Sequence, residues 1–109
     1  MRFIKGKQPR YDEAEKAFQA AITLYPPLSL QAYSGLGYVY TATGRYDEAE
    51  KTYQMLINRW PLIADNYFNL GAVYFYRGDK ELARQQVEKL TQMNRNLAKR
   101  LQKFIDGQN

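Results

Sequence analysis

The side chains that most often perform acid–base or nucleophilic chemistry are absent from this sequence or have another explanation. The 109 residues include neither Cys nor His, which removes thiolate nucleophiles, disulfides and imidazole bases or metal ligands. Carboxylates are densest in residues 47–50, and the same pattern recurs in residues 12–15. A repeated acidic cluster is typical of helix starts, where carboxylates favour the positive end of the helix dipole. We therefore predict no enzymatic activity, no metal site and no cofactor.

Two short motifs suggest a phosphate loop and an adhesion ligand, but their context argues against both. Gly35-Leu36-Gly37 looks like the start of a dinucleotide-binding loop, yet it lies within a predicted helix and does not follow a strand. Arg77-Gly78-Asp79 spells a tripeptide found in cell-adhesion ligands. Gly44 lies 34 residues before Gly78 in a similar segment, so a turn between helices explains the glycine in both places.

Composition and charge are those of an ordinary globular domain. Hydrophobic residues make up 45% and charged residues 25%, and no apolar run is long enough for a membrane helix. The net charge of +5 is concentrated in residues 1–10 and 95–106, whereas the middle of the chain is slightly acidic. This balance argues against a nucleic-acid partner, because acidic residues interrupt the basic ones. The absence of Cys leaves the compartment open.

The positions of any functional side chains are set by a repeat of 34 or 35 residues. The heptapeptide at residues 10–16 recurs unchanged at residues 45–51. A second set returns after 34 residues: Tyr33, Leu36, Gly37, Val39 and Tyr40 correspond to Tyr67, Leu70, Gly71, Val73 and Tyr74. Such a period is typical of stacked helix pairs. Apolar residues at helical spacing predict six or seven antiparallel helices and no strand.

Glycines and prolines mark the predicted ends of these helices. Gly44 and Gly78 lie between paired helices, where a left-handed backbone is expected. Pro26 and Pro61 follow second helices, which a proline cannot continue. Small residues lie where two helices must approach closely: Gly37, Gly71, Ala14, Ala49 and Ala83.

These residues resemble the tetratricopeptide repeat in type and order. Residues 30–63 match it through Tyr33, Leu36, Gly37, Tyr40, Ala49, Tyr53 and Pro61. Residues 64–97 match it through Tyr67, Leu70, Gly71, Tyr74, Ala83 and Val87, although Arg95 replaces the closing proline. Residues 11–29 match only the second helix of a repeat, through Ala14, Phe18, Ala21 and Pro26.

The resemblance implies an all-α fold in which tetratricopeptide-type antiparallel helix–turn–helix repeats stack as a right-handed α-solenoid. The single domain, 1–109, would contain a partial first repeat at 1–29 and full repeats at 30–63 and 64–97. A capping helix would follow at 98–109, with an apolar stripe facing inward and a basic one outward. At the other end, Met1–Lys7 is too short for a first helix. Either the chain is a piece of a longer array of repeats, which we favour, or the surface of the second helix at this end contacts something else.

The resemblance also implies where a partner would bind, because first helices line a concave groove in this family. Four aromatic residues occupy groove-facing positions outside the core pattern: Tyr38, Phe68, Phe75 and Tyr76. Burial against adjacent helices is the other explanation for them. Asn69, Lys99 and Lys103 match three of five positions with which some tetratricopeptide domains hold the C-terminal carboxylate of a chaperone peptide. Ser34 and Tyr38 occupy the other two and do not match.

From these features we predict a scaffold or adaptor that binds a peptide or helix of a partner protein in its groove. An acidic segment or a C-terminal carboxylate would suit the two lysines. The predicted partner-binding residues are Tyr38, Phe68, Asn69, Phe75, Tyr76, Lys99 and Lys103. The alternative is a structural module that assembles with itself, and a homo-oligomer is left open. Nucleic-acid binding through the basic ends is the least favoured reading.

Overall fold

A computed structural model describes residues 10–107, and it is all α-helical within that range. The helices are α1 Tyr11–Leu24, α2 Ser29–Ala42, α3 Tyr46–Arg59, α4 Ala64–Arg77, α5 Lys80–Met93 and α6 Arg95–Asp106, with a short 3₁₀ helix at Pro26–Leu28. The six α-helices of the described part agree with the predicted number of six or seven. None of these helices is long and apolar enough to cross a membrane. Residues 1–9, with which the expected partial first repeat begins, lie outside the described part.

Consecutive helices pack against one another as antiparallel pairs, and α6 packs against both α4 and α5. The predicted capping helix therefore covers the last full repeat with its apolar side, through Ala98, Leu101 and Ile105, which are all buried. It begins at Arg95, so the boundary predicted between residues 97 and 98 falls inside a helix. The Asn94 side chain accepts a hydrogen bond from the Leu97 amide at 3.0 Å, which explains the earlier start.

Both predicted glycine turns have the left-handed backbone that only glycine adopts readily. The φ angle is 78° at Gly44 and 96° at Gly78. The Gly78 amide donates to the carbonyl of Phe75, and the Asp79 amide donates to the carbonyl of Tyr74. Carbonyls at the end of α4 are thereby satisfied before the chain reverses into α5.

Three glycines inside helices, Gly35, Gly37 and Gly71, allow helices to lie closer than a Cβ atom would permit, and on Gly35 that atom would lie 2.3 Å from Cζ of Phe18 in α1. A Cβ on Gly37 would lie 2.5 Å from Cζ of Tyr53, and one on Gly71 would lie 2.6 Å from Cδ2 of Leu101. The Tyr53 ring and the Leu101 side chain therefore rest directly on the backbones of α2 and α4. These contacts bring α3 onto α2 and α6 onto α4.

The core runs continuously from α3 to α6. Its buried members are Ala49, Tyr53, Leu56, Tyr67, Leu70, Val73, Tyr74, Ala83, Leu90, Ala98, Leu101 and Ile105. The repeat pattern predicts that Leu36, Tyr40, Tyr53, Leu70 and Tyr74 are buried, and this is confirmed for all of them except Tyr40. The prediction was wrong for Tyr40, which is only half-buried. One part of the Tyr40 ring packs against the core, and the Arg45 guanidinium lies 4.6 Å from the ring centre and covers another part of it.

Arginines in the glycine turns connect each repeat to the one before it. Arg45 donates to Glu15 of α1 at 2.7 Å. Arg77 donates to Asp47 and to Glu50 of α3, each at 2.8 Å. The two acidic clusters of the sequence therefore do more than begin helices, because their carboxylates fix how neighbouring repeats are stacked.

Replacing Leu70 by Ala should lower the free energy of unfolding by roughly 2–5 kcal/mol, because it leaves a cavity in the core. Leu62→Ala is the matched control, since Leu62 is 89% exposed, and it should change the value by less than about 0.5 kcal/mol. Urea denaturation measures both. A similar loss in the two variants would show that Leu70 does not lie in a packed core.

Candidate functional site

An open cleft of about 430 Å³ lies between the first helices of the two full repeats. Its lining residues are Tyr38, Thr41 and Ala42 from α2, Tyr46 and Tyr53 from α3, and Asn69, Ala72 and Tyr76 from α4. Three of the predicted partner-binding residues, Tyr38, Asn69 and Tyr76, therefore share one cavity. Polar groups in it are hydroxyls and one carboxamide, and the remaining surface is aromatic or methyl.

The cleft exists because large and small residues alternate along its two walls. Tyr38 and Ala42 are one helical turn apart on α2, and Ala72 and Tyr76 are one turn apart on α4. With a repeat of 34 residues, Tyr38 corresponds to Ala72 and Ala42 corresponds to Tyr76. Each ring consequently has a methyl group at the equivalent position of the other repeat, and the space beside it stays open.

The two wall tyrosines are exposed but supported. Tyr38 is 62% and Tyr76 is 51% exposed. The Tyr76 ring stacks on Tyr46, with centroids 6.3 Å apart and planes 13° apart. The Tyr38 ring lies 6.4 Å from Tyr11, whose pKa is raised by burial and by the neighbouring Tyr38 hydroxyl. Aromatic neighbours restrict where both rings can move, so the cleft is largely preformed.

The floor of the cleft is the Tyr53 ring, which lies against Gly37. Burial raises the pKa of Tyr53 to about 12, and a hydrogen bond with Thr41 offsets part of this increase. The Thr41 hydroxyl itself donates to the carbonyl of Gly37 at 2.8 Å. The floor is therefore a fixed, neutral phenol at any physiological pH.

A smaller depression continues the groove between α4 and α6. It is lined by Asp65, Phe68, Asn69, Leu97 and Arg100. The Arg100 guanidinium lies 5.6 Å from the centre of the Phe68 ring. Asn69 borders both depressions, so its carboxamide lies at the junction of the tyrosine cleft and this second site.

Phe75 is half-buried and serves mainly to support its neighbours. Its ring lies 4.9 Å from Phe104 of α6 and 5.9 Å from Tyr76. Phe104 in turn meets Tyr76 edge-on at 5.5 Å. The alternative noted for the aromatic residues, burial against an adjacent helix, thus applies to Phe75 in part but not to Tyr38 or Tyr76.

The structure does not bring the two predicted lysines to this groove. Lys99 lines a different cleft, between α5 and α6, together with Val87, Thr91, Arg95, Ala98 and Gln102. Lys103 is exposed one turn further along the same stripe. Because Leu101 and Ile105 face the core, residues 99 and 103 must project from the opposite side of α6. The expectation that Phe75 and Lys99 open onto one surface is therefore wrong.

Arg100 is the groove cation that the sequence reasoning missed. It lies three residues after Leu97 and four before Phe104, so these three residues share a helix face. Leu97 and Phe104 belong to the apolar stripe of the capping helix, which was expected to face inward. Their spacing from Arg100 was the signal that could have identified it.

A family model for the tetratricopeptide repeat matches residues 28–96. The chain belongs to the tetratricopeptide repeat family. Repeats of this family generally mediate protein–protein interactions and are typically non-catalytic scaffolds. A search of curated proteins finds no match to the chain.

Membership in this family accounts for the short motifs. Gly35 and Gly37 lie inside α2, as predicted, and do not form a phosphate loop. Arg77 donates to Asp79 at 2.8 Å as well as to α3, so both charged members of the Arg-Gly-Asp tripeptide take part in the turn of a tetratricopeptide repeat. An adhesion function has no support from this arrangement.

The buried Tyr53 predicts a loss of stability in alkali. Its pKa is raised above the usual value of 10.0, so the unfolded chain releases the proton first, and stability falls as pH rises from about 10 to about 12. The loss should be roughly 2–3 kcal/mol. In Tyr53→Phe this part of the decline should disappear from urea titrations, whereas Tyr25→Phe, an exposed control, should keep it. Equal slopes in all three proteins would contradict the assignment.

Proposed function

We propose that the concave groove along α2, α4 and α6 binds a peptide or helix of a partner protein. The observation that carries this proposal is the open cleft walled by Tyr38 and Tyr76. Among the side chains that the structure describes, five large hydrophobic ones are exposed, and these are two of them. Exposed aromatic residues on a preformed concave surface supply the kind of buried contact that dominates binding energy at interfaces.

The carboxamide of Asn69 supports a role in orienting the bound segment. It borders both depressions of the groove, and it offers both donors and an acceptor. A peptide backbone presents the complementary pair, an N–H and a C=O. Asn69 would thus fix the register of a segment whose side chains occupy the depressions on either side.

An acidic segment or a C-terminal carboxylate has less support as the ligand. Lys99 borders the cleft between α5 and α6, so the proposed set of Asn69, Lys99 and Lys103 does not surround one position. Arg100 lines the second depression together with Phe68 and Asn69, and the Asp65 carboxylate in the same depression offsets part of its charge. Arg100 would favour an acidic residue at the end of a bound segment, without a carboxylate clamp.

Self-assembly, the alternative function, draws on a different surface. Helix α1 contains no buried residue, and Leu24 and Tyr25 at its end are 66% and 60% exposed. Sedimentation velocity over a range of concentrations distinguishes the two functions. A monomer throughout that range would leave peptide binding as the better account.

The groove is tested by selecting ligands from a displayed random-peptide library and measuring their affinity by calorimetry. Tyr38→Ala and Tyr76→Ala should each weaken the selected peptides about tenfold or more, because each removes a central aromatic contact. The matched control is Tyr25→Ala, which removes a ring of nearly the same exposure, 60% against 62% for Tyr38, from a loop outside the groove. Unchanged affinity in both groove variants, or an equal loss in the control, would refute the proposal.

A further inference from the structure

The tyrosine cleft is chemically neutral. Its lining within residues 10–107 consists of four tyrosines, two alanines, one threonine and one asparagine. The charged groups adjacent in sequence to the lining residues are Arg45, Asp47 and Arg77, and all three are engaged in ion pairs between neighbouring repeats. A charged ligand side chain entering the cleft would lose hydration without gaining an ionic partner. The segment that fills this cleft should therefore be uncharged.

The hydrogen-bonding groups of the cleft suit a ligand backbone that needs donors. The phenol groups of Tyr38, Tyr46 and Tyr76 and the amide of Asn69 can all donate. A bound helix would not use them, since its backbone groups are paired internally. A polyproline II segment has no internal hydrogen bonds, and its carbonyls project outward. Each proline also lacks an N–H, so such a segment presents acceptors only. The hydroxyls and the Asn69 amide can donate as well as accept, and they meet these carbonyls as donors.

The shape of the cleft leads to the same class of ligand. Tyr38 and Tyr76 form two ridges, and the gaps beside them are bounded by Ala42 and Ala72. Compact apolar rings such as those of proline pack against aromatic side chains in grooves of this kind. The polyproline II conformation is already extended, so binding it costs little conformational entropy.

We infer that the tyrosine cleft of the groove recognises a neutral, proline-rich stretch in the polyproline II conformation, with prolines between Tyr38 and Tyr76 and a backbone carbonyl on Asn69. This inference rests on the proposed function, because it names the ligand class of the same groove. It also explains why the exposed wall residues are tyrosines, whose hydroxyls contribute donors that phenylalanine lacks.

The test is calorimetric titration of the whole chain with an end-blocked oligoproline of about ten residues, which extends to about 31 Å. Saturable binding is expected, and it should weaken about tenfold or more in Tyr38→Ala and in Tyr76→Ala. Tyr38→Phe keeps the ring and should lose affinity by a smaller factor, through the missing hydroxyl. Tyr25→Ala should bind like the wild type. Unchanged melting temperatures would show that the variants are folded.

Two comparisons distinguish this inference from the proposed function: a peptide with fewer prolines, and an acidic or helical peptide. A peptide of equal length with alternate prolines replaced by alanine should bind about tenfold more weakly, and oligoproline affinity should change by less than about twofold between low and high salt. If an acidic or helical peptide binds through Tyr38 and Tyr76 while oligoproline does not, the inference is wrong and the proposed function stands. If oligoproline binds equally to all the variants, the assigned site is wrong.

Discussion

The walls of the groove depend on how closely two large side chains approach the backbones of first helices. Tyr53 rests on Gly37, and Leu101 rests on Gly71, at distances that leave no room for a Cβ atom. Each contact joins a first helix to the helix that packs on it. Together the two contacts therefore set the spacing of α2, α3, α4 and α6. The positions of the groove walls follow from that spacing.

The groove is what remains on the inner face once these core contacts are satisfied. Tyr53 serves both regions, since its ring fills the space beside Gly37 and also forms the floor of the tyrosine cleft. Turn arginines contribute differently. Arg45 and Arg77 lie near the surface, with 39% and 26% of their side chains exposed, and exposed ion pairs add little free energy. They direct the alignment of neighbouring repeats more than they stabilise the fold.

Much of the fold could be predicted from the sequence, because each part of it has a local cause. The 34-residue period fixes helix pairs, and positive φ angles are required at Gly44 and Gly78. The groove was harder to predict, since the rotation of α6 about its own axis depends on contacts with α4 and α5. The positions expected for Lys99 and Lys103 came from related domains, and they are correct only if α6 has the same rotation as in those domains. Arg100 follows Lys99 directly, so its side chain points about 100° away from that of Lys99. It therefore reaches the ring of Phe68.

The central claim is that a partner segment occupies the cleft between Tyr38 and Tyr76. Intermolecular nuclear Overhauser effects in a complex with a bound peptide test it most directly, because they report which protons lie within about 5 Å of one another, on the order of a van der Waals contact between side chains. The account predicts cross-peaks from the peptide to the ring protons of Tyr38 and Tyr76. Cross-peaks to Tyr25 and Leu62, with none to the two groove tyrosines, would contradict it.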